Sequence, residues 1–295
     1  GWLSVARMML DRSDELANFA GEVREAGFKH AVVLGMGGSS LCPEVFRRTF
    51  GHQQGSPELL VLDTTDPDTI ADLESRVDLR WTLFLVASKS GTTIEPLSFY
   101  KYFSDRVATI KGANAGDNFV AITDPGTLMD RMATEANFRH IFRNPADIGG
   151  RYSALSYFGM VPAAVMGLDV AEMLRRAVDM MDQCGVEVPM AQNPAARLGA
   201  LLGAAAAAGR DKVTLIAEGE VASVGLWIEQ MVAESTGKEG KGIIPVATES
   251  LGGPADYGDD RLFVSIHAGN VPASSKAKLD QLAEAGHPVV EHALD

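Results

Sequence analysis

The sequence predicts an α/β protein built from two doubly wound parallel sheets, and three observations support that fold class. Short apolar runs alternate with helical stretches through residues 31–135. A mainly helical region follows at 154–208, and a second alternation of strands and helices then occupies 213–285. Such alternation is typical of parallel sheets covered by helices on both faces. Ligands of these sheets bind at the carboxyl ends of the strands, so functional residues are expected in the loops there.

The elements follow one another in a regular order. A helix over 13–25 precedes strands at 31–34, 59–62, 82–87 and 119–123, and helices are predicted at 41–50, 66–75, 93–108 and 126–135. The second unit has predicted strands at 213–216, 243–246 and 262–266, with helices at 221–235 and 274–285. Little chain follows its last helix, so we expect the second unit to be truncated at its C-terminus. The predicted domains are 1–165, which includes the N-terminal helix, and 166–295, which includes the linking helices.

Composition excludes several classes of protein. The 295 residues carry a net charge of −13, which argues against general binding of nucleic acid. No apolar run approaches the roughly 20 residues that span a membrane, and no signal peptide pattern is present. The two cysteines, Cys42 and Cys184, are typical of small buried hydrophobic residues, so we expect a cytoplasmic protein. The chain begins at Gly1 in helix-like sequence, and we expect it to be part of a longer protein.

A hydroxyl-rich loop is the most informative feature of the chain. The buried strand at 82–87 runs directly into Ser88-Lys89-Ser90-Gly91-Thr92-Thr93. Glycine lets the backbone approach a ligand, hydroxyls donate to phosphate oxygens, and the helix predicted from Thr93 points free N–H groups at an anion. The alternative is an ordinary polar loop in which Thr92 or Thr93 caps the helix. From these residues alone, both interpretations stay open.

A second glycine-rich loop has the same arrangement. The strand at 31–34 runs into Gly35-Met36-Gly37-Gly38-Ser39-Ser40. The dinucleotide fingerprint would need glycine where Ser40 stands, and no acidic residue lies at the usual distance of about twenty residues. Asp63 ends the next strand, so a nicotinamide-dependent oxidoreductase using Gly35, Gly37 and Asp63 is a weaker alternative. Asp124 follows the strand at 119–123, and we interpret it as a helix cap.

A third motif shows a family resemblance. Together with the two loops, the segment Asp147-Ile148-Gly149-Gly150-Arg151-Tyr152-Ser153 resembles glucose-6-phosphate isomerase. The resemblance implies two sugar-isomerase domains, a homodimer, and interconversion of glucose 6-phosphate and fructose 6-phosphate in glycolysis and gluconeogenesis, without metal or cofactor. The chain is similar to the isomerase part of a bifunctional transaldolase/glucose-6-phosphate isomerase. A covalently fused transaldolase domain is therefore expected in the parent protein.

The resemblance also implies roles for individual residues. Contacts to the phosphosugar fall on Gly38, Ser39, Ser88, Lys89, Ser90 and Thr93. Glu234 matches the catalytic base, which would transfer a proton through an enediolate. Gln230 precedes it by four residues, which places both side chains on one helix face. Arg151 is the expected oxyanion stabiliser, because its planar charged group stands on a glycine-flanked loop.

These assignments have alternatives in the residues themselves. From the residues alone, Glu234 is more typical of a solvated helix-end carboxylate paired with Lys238. The alternative for Arg151 is a structural salt bridge to Asp147, but the adjacent Gly149-Gly150 favours the functional interpretation. Beside the site, we expect supporting roles for Glu95, Tyr152 and Ser153.

The match to the family fails in two places. The family opens the sugar ring with a histidine downstream of the catalytic glutamate and with a C-terminal lysine. Residues 252–260 hold no histidine, and Asp256 and Tyr257 are the nearest polar substitutes. His267 stands at a strand end and is not assigned, and the lysine would fall beyond Asp295. A non-catalytic sugar-phosphate-binding module is therefore the first alternative to an active isomerase. The histidines show no metal-ligand spacing, so we predict no metal.

Overall fold

The computed structural model describes residues 1–294, which fold into two units. Contacts divide the chain after Asp179, so unit 1 is Gly1–Asp179 and unit 2 begins at Met180. Each unit holds one parallel sheet with helices. The domain boundary proposed at residue 165 stays a prediction, as does the truncation of the second unit.

Unit 1 contains a five-stranded parallel sheet. Its helices are α1 Val5–Leu10, α2 Ser13–Glu25, α3 Leu41–Phe50, α4 Pro67–Arg76, α5 Ile94–Lys111, α6 Leu128–Glu135, α7 Tyr157–Val165 and α8 Val170–Gln183, the last of which runs past the unit boundary. Its strands are β1 His30–Leu34, β2 Glu58–Leu62, β3 Thr82–Ala87, β4 Phe119–Thr123 and β5 His140–Arg143. The strand order is β2-β1-β3-β4-β5. The chain order reverses between β1 and β3, and this switch point is where doubly wound sheets bind ligands.

Unit 2 repeats the first four positions of that order. Its helices are α9 Pro194–Ala207, α10 Val224–Thr236 and α11 Ala273–Glu284, and its strands are β6 Lys212–Ala217, β7 Ile244–Val246, β8 Arg261–Ala268 and β9 Val289–Leu294. The strands pair in parallel in the order β7-β6-β8-β9. The predicted α/β fold with two doubly wound parallel sheets is confirmed. Strand β5 was not predicted.

The central strands form because both of their faces are covered. Within β1, Ala31 and Val33 pack into one apolar cluster, and Val32 and Leu34 pack into the other. All four side chains are fully buried. A strand covered on both faces has an unbroken apolar run in its sequence, and for this reason residues 31–34 were recognisable as a strand.

Helix α7 lies buried along its whole length, at the base of the loop that carries Arg151. A Cβ atom on Gly159 would lie 1.9 Å from the carbonyl oxygen of Ala154 and 3.0 Å from Sγ of Cys42. Burial raises the pKa of Cys42, which keeps it a thiol. Cys42 is thus the buried hydrophobe that was expected, whereas Cys184 is only half-buried, and both are free thiols. No helix in residues 1–294 is long and apolar enough to cross a membrane.

The carboxylate of Asp130, at the start of α6, supplies a test of acid stability. Burial alone would raise its pKa, but hydrogen bonds from Arg143 and from the N–H of Gly126 outweigh burial and lower the pKa. A lowered pKa stabilises the fold above the unfolded value of about 3.9, and that stabilisation is lost as pH falls through the folded pKa.

We therefore expect Asp130→Asn to lower the free energy of unfolding by about 1–3 kcal/mol at pH 7. Urea unfolding, followed by circular dichroism at pH 7 and below pH 4, measures the difference between the variant and the wild type. The difference should shrink at the lower pH. An equal difference at both pH values would contradict this account.

Candidate active site

The first part of the site is the loop at residues 88–93, called here the hydroxyl loop, which joins β3 to α5. Ser88 Oγ donates to Thr93 Oγ1 at 3.1 Å, and Thr92 Oγ1 donates to Ser90 Oγ at 3.1 Å. Gly91 makes the turn with φ of +66°. Thr93 stands at the N-cap of α5, one residue before the helix, but its side chain makes no capping bond. Thr93 is thus the N-cap residue by position, as the alternative expected, but without a side-chain capping bond. The hydroxyls cluster beside the helix N-terminus, as an anion site requires.

The second part is the glycine loop at residues 35–40, which joins β1 to α3. Strands β1 and β3 are paired, with Leu34 opposite Val86, so the glycine and hydroxyl loops leave the same sheet edge side by side. The loop holds a 3₁₀ turn at Gly37–Ser39. Ser40 is fully buried, and its Oγ donates to the carbonyl oxygen of Gly37 at 3.1 Å. Ser40 thus holds the turn in shape, while Ser39 stays half-buried on it.

The third part is the arginine loop at residues 144–153, which follows β5 and touches the glycine loop. A Cβ atom on Gly38 would lie 2.3 Å from the carbonyl oxygen of Gly150 and 3.2 Å from the backbone nitrogen of Arg151. Ser153 Oγ donates to the carbonyl oxygens of Gly150 at 2.6 Å and Gly38 at 3.3 Å. The absence of a side chain at Gly38 therefore lets the two loops meet, and this contact brings Arg151 to the glycine loop.

Aromatic rings support the arginine loop. The guanidinium carbon of Arg151 lies 4.8 Å from the ring centroid of Tyr152, within the range of a cation–π contact. Trp2 stacks on the same ring, with 5.0 Å between the centroids. These contacts restrict the motion of a side chain that would otherwise be long and flexible.

The side chain of Lys89 contacts two other loops of unit 1. Its ammonium forms an ion pair with Asp124, which directly follows β4, and donates to the carbonyl oxygen of Ala146 at 3.0 Å. The interpretation of Asp124 as a helix cap is wrong, because α6 is capped by Thr127, whose Oγ1 accepts from the N–H of Asp130. The sequence signal for Asp124 was its position after a buried strand, at the same sheet edge as the other loops.

Unit 2 carries the predicted base. Gln230 and Glu234 lie one turn apart on α10, and Gln230 Nε2 donates to Glu234 Oε1 at 3.0 Å. Their expected placement on one helix face is confirmed. Gln230 Oε1 is buried without a partner among residues 1–294, and Glu234 is exposed. Lys238 Nζ donates to the backbone carbonyl oxygen of Glu234 at 2.5 Å, near the end of the helix.

The polar residues considered in place of the missing histidine have structural partners. Asp256 Oδ2 accepts from the N–H of Gly253 at 2.7 Å, and the hydroxyl of Tyr257 accepts from the N–H of Gly252 at 2.7 Å. His267 Nδ1 lies 2.6 Å from the carbonyl oxygen of Gly269. All three side chains therefore stabilise their own loops in unit 2.

Two further points concern cofactors. Burial, together with the nearby carboxylate of Glu44, raises the pKa of Asp63, the acid of the dinucleotide alternative. Among residues 1–294, no three His, Cys, Asp or Glu side chains are grouped as a metal site would need. The absence of a metal or cofactor from the reaction stays a prediction.

A family model described as phosphoglucose isomerase matches residues 10–272. A glucose-6-phosphate isomerase of Cyanothece sp. is 34% identical over 221 residues, which are 72% of this chain and 40% of that protein. A probable glucose-6-phosphate isomerase of Methanococcus maripaludis is 28% identical over 90% of this chain and 59% of its own length. The chain spans about half the length of the curated relatives it matches.

Solved structures agree with these relatives. A glucose-6-phosphate isomerase from Chlamydia trachomatis superposes with a TM-score of 0.75 at 25% identity, over 96% of this chain and 60% of that one. A hypothetical protein from Thermus thermophilus superposes with a TM-score of 0.85 at 22% identity, over 100% of this chain and 78% of that one. The second similarity shows the fold alone.

Proposed function

Because this chain belongs to the phosphoglucose isomerase family, we propose that it interconverts glucose 6-phosphate and fructose 6-phosphate. The observation that carries the proposal is the cluster of hydroxyls beside a helix N-terminus at the switch point of the sheet in unit 1. That cluster has the chemistry of a phosphate site. Membership of an isomerase family also argues against the alternative of a nicotinamide-dependent oxidoreductase.

The proposed phosphate site uses both loops at the switch point. The hydroxyls of Ser39, Ser88, Ser90 and Thr93 donate to phosphate oxygens, and the backbone at Gly38 approaches the ligand. Lys89 contributes through its backbone position in the hydroxyl loop. Neutral donors and a helix N-terminus are groups that bind phosphate, so the proposed site needs no excess of basic residues in a chain of net charge −13.

The proposed chemistry uses Glu234 as the base. Its carboxylate takes the proton from C2 of open-chain glucose 6-phosphate, the electron pair of that bond forms the C1–C2 double bond, and the carbonyl pair moves to O1 to give an enediolate. The protonated base then returns a proton, which can exchange with solvent, to C1, while the C2 hydroxyl loses its proton and becomes the ketone carbonyl and O1 gains a proton. Gln230, which donates to Glu234 at 3.0 Å, orients the carboxylate. Arg151 stabilises the negative oxygen of the enediolate.

Ser90→Ala tests the phosphate site. Loss of one hydrogen bond to a charged ligand should raise KM for fructose 6-phosphate by about tenfold while kcat changes by less than about threefold. Steady-state kinetics measures both constants. Ser104→Ala, farther along α5, is the matched control, because it removes a hydroxyl that donates to the carbonyl oxygen of Lys101, outside the hydroxyl loop. A fall in kcat with an unchanged KM would count against a phosphate contact at Ser90.

A second candidate is a sugar-phosphate-binding unit without turnover. The observation that favours it is the engagement of Asp256 and Tyr257 in their own loop, where the ring-opening histidine was expected. A four-carbon aldose phosphate cannot form a pyranose ring, so its isomerisation bypasses that step. If the chain converts this compound but no hexose phosphate, it carries out proton transfer and lacks only ring opening. Binding of both without turnover would support the second candidate.

We further propose a homodimer in the cytoplasm, with a transaldolase domain fused in the parent protein. The family resemblance supports the dimer and the fusion. Two free thiols, with no disulfide between them, support a reducing compartment.

A further inference from the structure

We propose that Lys89 is a positioning residue whose ammonium joins the hydroxyl loop to the arginine loop, and that this ammonium does not contact the phosphate. The inference rests on the proposed function, because it concerns the same site. It assigns to Lys89 and Asp124 a shared role in placing Arg151.

The geometry joins three neighbouring strand ends. Lys89 follows β3 by two residues, Asp124 follows β4 by one, and Ala146 follows β5 by three. The Lys89 ammonium pairs with Asp124 Oδ2 and donates to the carbonyl oxygen of Ala146 at 3.0 Å. The backbone N–H of Asp124 also donates to the carbonyl oxygen of Lys89 at 3.3 Å. The two residues are thus linked through both side chain and backbone.

The burial of the Asp124 carboxylate favours keeping the Lys89 ammonium beside it. Asp124 is only 8% exposed, and its Oδ1 has no partner among residues 1–294. A buried carboxylate without a countercharge is strongly unfavourable. If the Lys89 ammonium moved to a phosphate, Asp124 would lose its countercharge. The ion pair therefore competes against a phosphate contact, and the hydroxyls of the loop provide the anion donors.

Ala146, which accepts the hydrogen bond from Lys89, is joined to Arg151 by a short segment of backbone that is restrained at both ends. Ala146 precedes Arg151 by five residues. Asn144, at the start of the loop, is buried, and its N–H donates to the carbonyl oxygen of Thr123 at 2.8 Å. At the other end, the backbone of Gly150 lies against Gly38. The Lys89 contact therefore restrains the arginine loop from the side of the hydroxyl loop.

A direct readout of the arginine loop exists in the chain. Trp2 stacks on Tyr152, the residue after Arg151, with 5.0 Å between ring centroids. Trp81→Phe and Trp227→Phe leave Trp2 as the sole tryptophan of the three. In this background, acrylamide quenching of Trp2 fluorescence reports displacement of the loop without any need for turnover.

The test compares Lys89→Met, Asp124→Asn and the double variant in this background. Trp2 quenching should increase in all three, and kcat should fall by about 10- to 100-fold because the oxyanion stabiliser is displaced. KM and the inhibition constant of inorganic phosphate should change by less than about threefold. Lys89→Met alone leaves the Asp124 carboxylate without its countercharge. If that single variant does not fold, the double variant, which removes both charges, tests whether the pair positions the arginine loop.

The matched control is Lys101→Met/Asp105→Asn, which removes an exposed ion pair of 3.4 Å on α5. This control should leave Trp2 quenching and phosphate inhibition unchanged. Loss of phosphate affinity by more than about tenfold in the double variant, or unaltered Trp2 quenching, would overturn the inference. A wild-type chain that binds no phosphate and shows no turnover would instead count against the proposed function, and the Trp2 measurement would still decide the role of Lys89.

Discussion

Glu234→Gln is expected to lower kcat for isomerisation by about 10³-fold, while KM changes by less than about threefold. Glutamine has nearly the same shape, and its oxygen can still accept the hydrogen bond that Gln230 donates to Glu234 at 3.0 Å. It cannot take a proton from carbon at neutral pH. The variant therefore removes the base and leaves the surroundings in place. A coupled assay of glucose 6-phosphate formation measures the change.

Glu229→Gln is the matched control for this prediction. Glu229 precedes Gln230 on α10 and lines a separate cavity of about 980 Å³ in unit 2. Glu229 stands five residues before Glu234, which is about 140° around the helix, so this substitution makes the same chemical change away from the proposed base. It should leave kcat within about twofold. An equal loss in both variants would show a general effect on α10, and more than a tenth of wild-type activity in Glu234→Gln would exclude Glu234 as the base.

Gly38→Ala is expected to lower kcat/KM by about 100-fold. The new methyl group would lie 2.3 Å from the carbonyl oxygen of Gly150, a distance at which the backbone of one loop must shift. The shift displaces Arg151 from the glycine loop. Because the collision is with backbone, no side-chain rotation relieves it. Kinetics with fructose 6-phosphate and the melting temperature are measured together.

Gly21→Ala is the control for that substitution. Gly21 lies on α2 in the same unit, and the nearest atom to its added Cβ is the flexible end of Arg24 at 3.9 Å. Alanine in a helix interior should stabilise the protein by up to about 1 kcal/mol and leave kcat/KM unchanged. Wild-type kinetics in Gly38→Ala would contradict the role of the loop contact.

The strands that are buried on both faces of the sheet could be predicted, because each of them is a continuous apolar run in the sequence. Residues 31–34 and 82–87 form apolar runs because both faces of β1 and β3 are covered. Strand β5, His140–Arg143, was missed because it is short and has a histidine at one end and an exposed arginine at the other. It is an edge strand, paired only with β4, so its sequence is less constrained by burial.

Within the site, local spacing was informative and long-range contacts were not. The four-residue interval between Gln230 and Glu234 indicated a shared helix face, and the hydrogen bond between them confirms it. The ion pair between Lys89 and Asp124 joins residues 35 positions apart, so Asp124 was mistaken for a cap. The role of Gly38 depends on Gly150, which is still farther along the chain. Such contacts follow from strand order, and the order was not known from the sequence.

Conversion of fructose 6-phosphate by this chain in D₂O, followed by NMR, tests whether the protein transfers a proton between C1 and C2 of a phosphosugar. We expect glucose 6-phosphate to form with deuterium at C2, because the proton held by the base exchanges with solvent before it returns to the enediolate. The label should disappear with the activity in Glu234→Gln. If no glucose 6-phosphate forms and the recovered fructose 6-phosphate carries no deuterium at C1, the proposal that this chain is a phosphosugar isomerase is contradicted.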